Sequence, residues 1–158
     1  MYYYIDGYNF LFSCTDIKGS LQLQREQFIQ WVQATFARLN LQGTIVFDGS
    51  HRSDEHSGLS YPSPLEVAYS PRGCSADTYI IEKISNLTNS KLITVVTNDT
   101  GLRRHVHATG AYTESNDSFI RKLLKKKKRQ QAEKQIRDSD AEIQRLLNIF
   151  EKRLEDKE

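Results

Sequence analysis

The chain has 158 residues, of which 38% are hydrophobic and 27% charged, and its formal net charge is +2. That length accommodates one domain of ordinary size with a single buried core plus an appendage, and excludes two full domains. No apolar run approaches the roughly 18 residues that a membrane span needs, and no basic n-region precedes an apolar h-region at the start, so the expectation is a cytoplasmic protein with no membrane partner.

In chain order, the opening MYYYIDGYNF places a β-prone run, YYYI, directly before Asp6, with Gly7 behind it and Asn9 one tyrosine later. From Leu21 to Leu39 the apolar positions Phe28, Val32, Thr35/Phe36 and Leu39 recur at helical spacing, which gives a helix with one buried face. TIVF then forms a strand before Asp48. The stretch GSHRSDEHSGLSYPSP, residues 49–64, is polar, contains Gly, Ser and Pro and has no apolar period, so it reads as a mobile surface loop beside Asp48. LEVAY is a strand before Ser70, and Ser75 is placed to cap a helix with Ile80, Ile81, Ile84 and Leu87 along one side. LITVVT is a strand before Asn98, Thr100 to about His107 a short helix, and GAY at 110–112 a weak strand.

From about Asp117 the pattern changes to good helix formers without Gly or Pro, with Ile136, Ile143, Leu146, Leu147, Phe150 and Leu154 in one narrow stripe. A long charged helix with so thin a seam either packs along the body or meets a partner helix, and the second option would make a homo-oligomer. The expected division is a body, residues 1–120, and a basic helical tail, residues 121–158. Lys plus Arg number 9 against 12 Asp plus Glu in the body, and 13 against 8 in the tail. Cys14 and Cys74 lie sixty positions apart with neither CxxC spacing nor a nearby histidine, so free thiols are expected. Strands alternating with helices, and apolar on nearly every residue, argue for a mostly parallel sheet covered on both faces, a three-layer α/β/α body.

YYYI-D-G, TIVF-D-G and ITVVTN-D-T-G are three apolar strands, each ending in or just before an aspartate with glycine close behind. The carboxyl ends of parallel strands open onto one edge, so Asp6, Asp48 and Asp99 would converge there. Asp77 sits in the first turn of the helix after LEVAY and starts from the same edge. Taken singly, each is an ordinary turn or helix-cap residue. Together they repel one another unless a cation neutralises them, and oxygen donors without His or Cys select a hard ion such as Mg²⁺ or Mn²⁺. One or two such ions would polarise a scissile phosphate and supply a metal-bound hydroxide, so that no nucleophilic side chain is needed. Asn9 either orients a ligand water or the phosphate, or caps a turn. Asp48 ranks below Asp6, Asp77 and Asp99.

These residues carry a family resemblance. IDGYN, VFDG, SADTYIIEKI and VVTNDTGLRRHVHATGAYTES, in that order, resemble a YacP-like NYN domain, one of the PIN-like ribonuclease groups. The resemblance covers roughly residues 1–120 and leaves the tail out. It implies a PIN-like α/β/α fold and metal-dependent endoribonuclease activity, with Asp6, Asp77 and Asp99 binding the ion and Asn9 beside them. A serine-aspartate pair is usual after the fourth strand in that family. Asn98-Asp99 stands here instead, which keeps the carboxylate and changes its neighbour.

An acidic crevice does not attract a polyanion by itself. Arg121, Lys122, Lys125, Lys126, Lys127, Lys128 and Arg129 put seven positive charges in nine residues, either as phosphate contacts or as a solvated helix face. Arg72, before the Asp77 helix, and Arg103 and Arg104, after Asp99, lie closer to the chemistry. Tyr8, Phe10 and Tyr61 are near enough to the edge to stack on unpaired bases, and Phe10 equally reads as core. His105 and His107 read as surface residues, since a pair without a third ligand is weak metal chemistry. The leading reading is thus a Mg²⁺- or Mn²⁺-dependent endoribonuclease, and the alternative a catalytically weak RNA-binding or ribosome-associated adaptor. A receiver-type domain would want adjacent acids after its first strand, and a dehalogenase-type domain an acid where Tyr8 stands. A dinucleotide site lacks its glycine-rich turn.

Overall fold

The fold is that of a computed structural model, in which the described residues are 1–14, 19–51 and 64–155. Five strands, β1 (Tyr2–Asp6), β2 (Gln42–Phe47), β3 (Leu65–Tyr69), β4 (Ile93–Val96) and β5 (Tyr112–Glu114), alternate with helices α1 (Gly7–Cys14), α2 (Leu21–Leu39), α3 (Ala76–Ser85), α4 (Thr100–Ala108) and α5 (Asn116–Glu155). The strands form one sheet in the order β3-β2-β1-β4-β5. Every pairing is parallel, with Tyr4 opposite Thr44 on one side and Val95 on the other. The sheet is therefore wholly parallel, and both its faces are covered.

Alternation along the strands assigns the layers. Val46, Ile93 and Val95 pack with Ile80 and Ile84 of α3 and Leu102 and Val106 of α4, and Tyr2 and Tyr4 flank that cluster. Tyr3, pointing the other way, meets Phe119 at 5.0 Å and Phe36 of α2 at 6.1 Å. Phe10 of α1 lies 5.4 Å from Phe28 of α2. One face is thus aliphatic under α3 and α4, and the other aromatic under α1, α2 and the first turn of α5.

The expected three-layer α/β/α body is present, and four details differ from the sequence reading. The first is α1, which begins at the residue after β1, where the sequence suggests only a turn. Gly7 makes this possible: a Cβ there would come 2.6 Å from the Phe47 ring and 2.9 Å from the Val46 carbonyl oxygen. Leu87 lies beyond the end of α3 and is exposed rather than on its buried side. The last strand starts at Tyr112, because Gly110, at φ 82°, completes the turn that ends α4. Of the 49–64 stretch, Gly49–His51 is a 3-10 turn; residues 52–63, with Tyr61, lie outside the described residues.

Two compact units are distinguished, Met1–Arg121 and Lys122–Glu158. The second is helical, with Ile136 and Ile143 of the apolar stripe exposed; the side chains of Leu146, Leu147, Phe150 and Leu154 lie outside the described ones. Among the described residues no helix is long and apolar enough to cross a membrane. Both cysteines are free thiols.

Candidate active site

The strand order reverses between β1 and β4, and the crevice beyond their carboxyl ends is where open α/β sheets place ligands. Asp6 closes β1 there and is only 7% exposed. Its carboxylate accepts the Thr97 hydroxyl at 3.0 Å and the backbone N–H of Asn9. Thr97 is fully buried, and the same hydroxyl oxygen accepts the Asp99 N–H at 3.0 Å. One hydroxyl thus bridges Asp6 and Asp99. Asp99 is the N-cap of α4, its Oδ1 accepting the Leu102 N–H at 2.7 Å. Asp77 occupies the first turn of α3, behind the N-cap Ser75, which accepts the Thr78 N–H at 3.1 Å. Asp48 follows β2, and its Oδ1 accepts the Ser50 N–H at 2.8 Å.

The carboxylates act on one another in pairs. Burial, then the charge of Asp77 and more weakly that of Asp99, push Asp6 up to about 6 against the hydrogen bonds from Thr97 and Asn9. Burial also raises Asp77, as do the charges of Asp99 and Asp48, while His105 acts in the opposite direction. Burial and like charge penalise ionisation in the same sense. Even so, among the described residues no three His, Cys, Asp or Glu side chains are gathered into a group able to hold a metal ion. The local bonding accounts for this: Asp99 turns an oxygen back onto α4, Asp48 onto its own turn, and Asp6 towards Thr97.

Asn9 is engaged, through its side-chain oxygen, in holding a turn. Its Oδ1 accepts the Asn98 N–H and the Asn116 side-chain amide, both at 2.9 Å. Asn116 is fully buried; its amide also donates to Ser13 Oγ at 3.1 Å, and its own N–H to Asn98 Oδ1 at 2.9 Å. These bonds lash α1 to the β4–α4 turn and to the start of α5, which is the turn-holding role left open for Asn9. Thr97 and Asn116 escaped the sequence reading. Thr97 carries a signal, a hydroxyl at the end of an otherwise apolar strand and two residues before an aspartate. Nothing in the sequence marks Asn116 above Asp117.

The cations are spread more widely. Arg72 is exposed in the turn before α3, and Arg104 is exposed on α4. Arg103 is half-buried, and its Nε–H donates to Thr113 Oγ1 at 3.4 Å. Lys125, Lys128 and Arg129 are exposed and Lys126 and Lys127 half-buried on α5, within the second unit. His105 and His107 are both helical: a ring nitrogen of His105 lies 3.0 Å from the Gly101 carbonyl, and one of His107 lies 3.0 Å from the Thr113 hydroxyl.

Comparison with known proteins gives the same fold. The chain is similar to the crystal structure of Rae1 (YacP) from Bacillus subtilis, at 22% identity and a TM-score of 0.65, over 90% of this chain and 83% of that one. A tryptophan-to-leucine variant of that protein aligns at 21% identity and a TM-score of 0.63, over 82% and 77% of the two chains. No curated protein matches the sequence. The family model described as the YacP-like NYN domain matches residues 3–158 and so runs on through the helical tail, which the motif resemblance leaves outside. With a match of that extent, the chain belongs to the YacP-like NYN domain family.

Proposed function

We propose that the protein is a cytoplasmic endoribonuclease that cleaves RNA phosphodiester bonds with a divalent ion, Mg²⁺ or Mn²⁺, held by Asp6, Asp77 and Asp99. The observation that carries this is the gathering of carboxylates remote in the chain at one partly buried edge, where burial first, and then the charge of Asp77, push Asp6 up to about 6. Hard oxygen donors crowded in a partly desolvated crevice fit a hard divalent cation, which removes their repulsion. When bound, such an ion supplies Lewis-acid polarisation of the scissile phosphate and stabilises the charge that develops on the leaving oxygen.

The protein's own groups do the rest. Thr97 holds the Asp6 carboxylate and the Asp99 backbone at a fixed spacing, and the Asn9–Asn98–Asn116 bonds fix the turn that carries Asp99. Asp99 spends Oδ1 on its helix cap, so ligation falls to Oδ2. Arg72, Arg103 and Arg104 neutralise phosphates flanking the scissile one. Lys125 to Lys128 and Arg129 add sequence-independent, salt-sensitive contacts. The choice of RNA rests on family membership.

A second reading, an RNA-binding or ribosome-associated adaptor with little turnover, is favoured by one observation: the absence, among the described residues, of three acidic side chains gathered as ligands. Incubating the protein and its Asp99→Asn variant with single-stranded RNA and Mn²⁺, with and without EDTA, separates the two. The nuclease cleaves only as wild type and only without EDTA. RNA left equally intact by both proteins in Mn²⁺, yet bound by both, establishes the adaptor instead.

A further inference from the structure

Neither the acid crevice nor the basic tail uses Arg25. This α2 residue is 9% exposed, yet among the described residues the side chains it touches, Tyr8 and Tyr69, are both aromatic. Nη1–H donates to the Tyr8 hydroxyl at 2.9 Å, and the guanidinium carbon lies 5.6 Å from the centre of the Tyr69 ring. Among the described residues no carboxylate pairs with it; the adjacent Glu26 acts only at a distance, and its carboxylate accepts the Gln22 amide at 3.1 Å. A guanidinium offers five N–H donors in a planar fork. Among the described residues one of these donors is hydrogen-bonded, Nη1–H to Tyr8.

Rings flank this cation at the carboxyl ends of β1, β2 and β3. Tyr8 and Phe12, one turn apart on α1, stack at 5.6 Å with 20° between their planes. Tyr8 meets Phe47 edge-on at 4.9 Å, and Phe47 stacks on Tyr69 at 5.8 Å. Tyr8 and Phe47 are buried, Tyr69 is half-buried, and Phe12 is 47% exposed. The ledge borders the acid crevice, since Tyr8 follows Asp6 by two residues and Phe47 immediately precedes Asp48.

An exposed ring backed by buried ones, beside a nearly desolvated cation with spare donors, fits a ligand that carries both a π-face and an anion. An apolar protein segment would leave the guanidinium uncompensated, and a bare phosphate would leave the ring uncovered. We propose that Phe12, Tyr8, Tyr69 and Arg25 form a subsite for one unpaired nucleotide of the RNA strand, its base stacked on Phe12 and its phosphate on the Arg25 fork. The subsite rests on the ribonuclease reading for its polymer, and it makes the substrate single-stranded, because a paired and stacked base has no free face to offer.

The test is fluorescence anisotropy of the full chain with a short labelled single-stranded RNA in EDTA, across a salt series, alongside cleavage in Mn²⁺. Phe12→Ala is expected to weaken binding about tenfold without changing the salt slope, and Phe12→Tyr to restore it. Arg25→Gln is expected to lower the slope by about 0.7, the value for one lost phosphate contact to a single strand, and Arg25→Lys to preserve it. Thermal melts establish that each variant is folded, and should Arg25→Gln fail to fold, the exposed Phe12 variants and Arg25→Lys decide. If the wild type binds and cleaves RNA while Phe12→Ala binds as tightly as the wild type, the subsite is wrong and the nuclease reading stands. A wild type that neither binds nor cleaves RNA overturns both.

Discussion

Replacing Asp6 by asparagine should make the metal-free protein more stable at pH 8. In the fold this carboxyl is raised from an ordinary 3.8 to about 6. Between those values the folded state holds the proton that the unfolded state has released, so stability falls as pH rises, and above about 6 the whole difference is lost. At about 1.36 kcal/mol per pH unit this is ~3 kcal/mol of destabilisation carried by an ionised Asp6 at pH 8. Asparagine removes the charge and keeps one acceptor, but it loses the second, and Asp6 accepts from both Thr97 and the Asn9 N–H. Subtracting about 1 kcal/mol for that hydrogen bond leaves a net gain of ~1–2 kcal/mol at pH 8 and none, or a small loss, near pH 3.5. Urea unfolding in EDTA, followed by the fluorescence of Trp31, measures it. A variant less stable than the wild type at pH 8, or stabilised equally at both pH values, would refute the electrostatic account. Adding Mn²⁺ should reverse the order, because a ligand that binds only the folded wild type at a hundred times its dissociation constant adds ~2.7 kcal/mol.

Thr97→Val removes the hydroxyl shared by Asp6 and the Asp99 N–H, and should cost ~1–3 kcal/mol in denaturant titration while moving the acidic limb of the pH–rate profile upward. Gly7→Ala forces a methyl group into the Phe47 ring and the Val46 carbonyl, and should cost ~1–3 kcal/mol, read as a lowered melting temperature. Replacing Lys125, Lys126, Lys127 and Lys128 together by glutamine should flatten the salt dependence of RNA binding and raise KM with little change in kcat. An unchanged slope would assign that run to a solvated helix face.

Much of the architecture was legible because it is written in local chemistry. Period and length set α2 to Leu21–Leu39, and Ser75 caps α3 through the Thr78 N–H, as its hydroxyl and position suggested. Consecutive apolar residues marked β2 and β4 as strands buried on both faces. Topology placed Asp6, Asp48, Asp77 and Asp99 near one edge, since parallel strands share a carboxyl end, and Asp77 feels the charges of Asp99 and Asp48 while Asp6 feels those of Asp77 and Asp99. The unread features depend on contacts between distant residues. The start of α1 depends on how close β2 comes to Gly7, a distance no local pattern encodes. Asn116 earns its place from Asn9, Ser13 and Asn98, and Arg25 from rings on α1 and β3.

The capping and turn roles of the aspartates help to explain how so acidic an edge exists at all. Asp6 stands at the start of α1 and accepts the Asn9 N–H, Asp99 caps α4, and Asp77 lies in the first turn of α3. Three helix N-termini therefore converge on the edge where the carboxylates collect. Each presents unsatisfied N–H groups and roughly half a positive charge, which favours an anion at that spot. Those partial charges offset part of the repulsion before any cation arrives, so the sheet edge can keep several acids in a folded, metal-free chain. Asp6 and Asp77 are raised all the same, by burial first and by like charge after it. Asp6 is the most buried of the group, so burial adds to the cost of its charge there, and a cation bound beside it would relieve that cost.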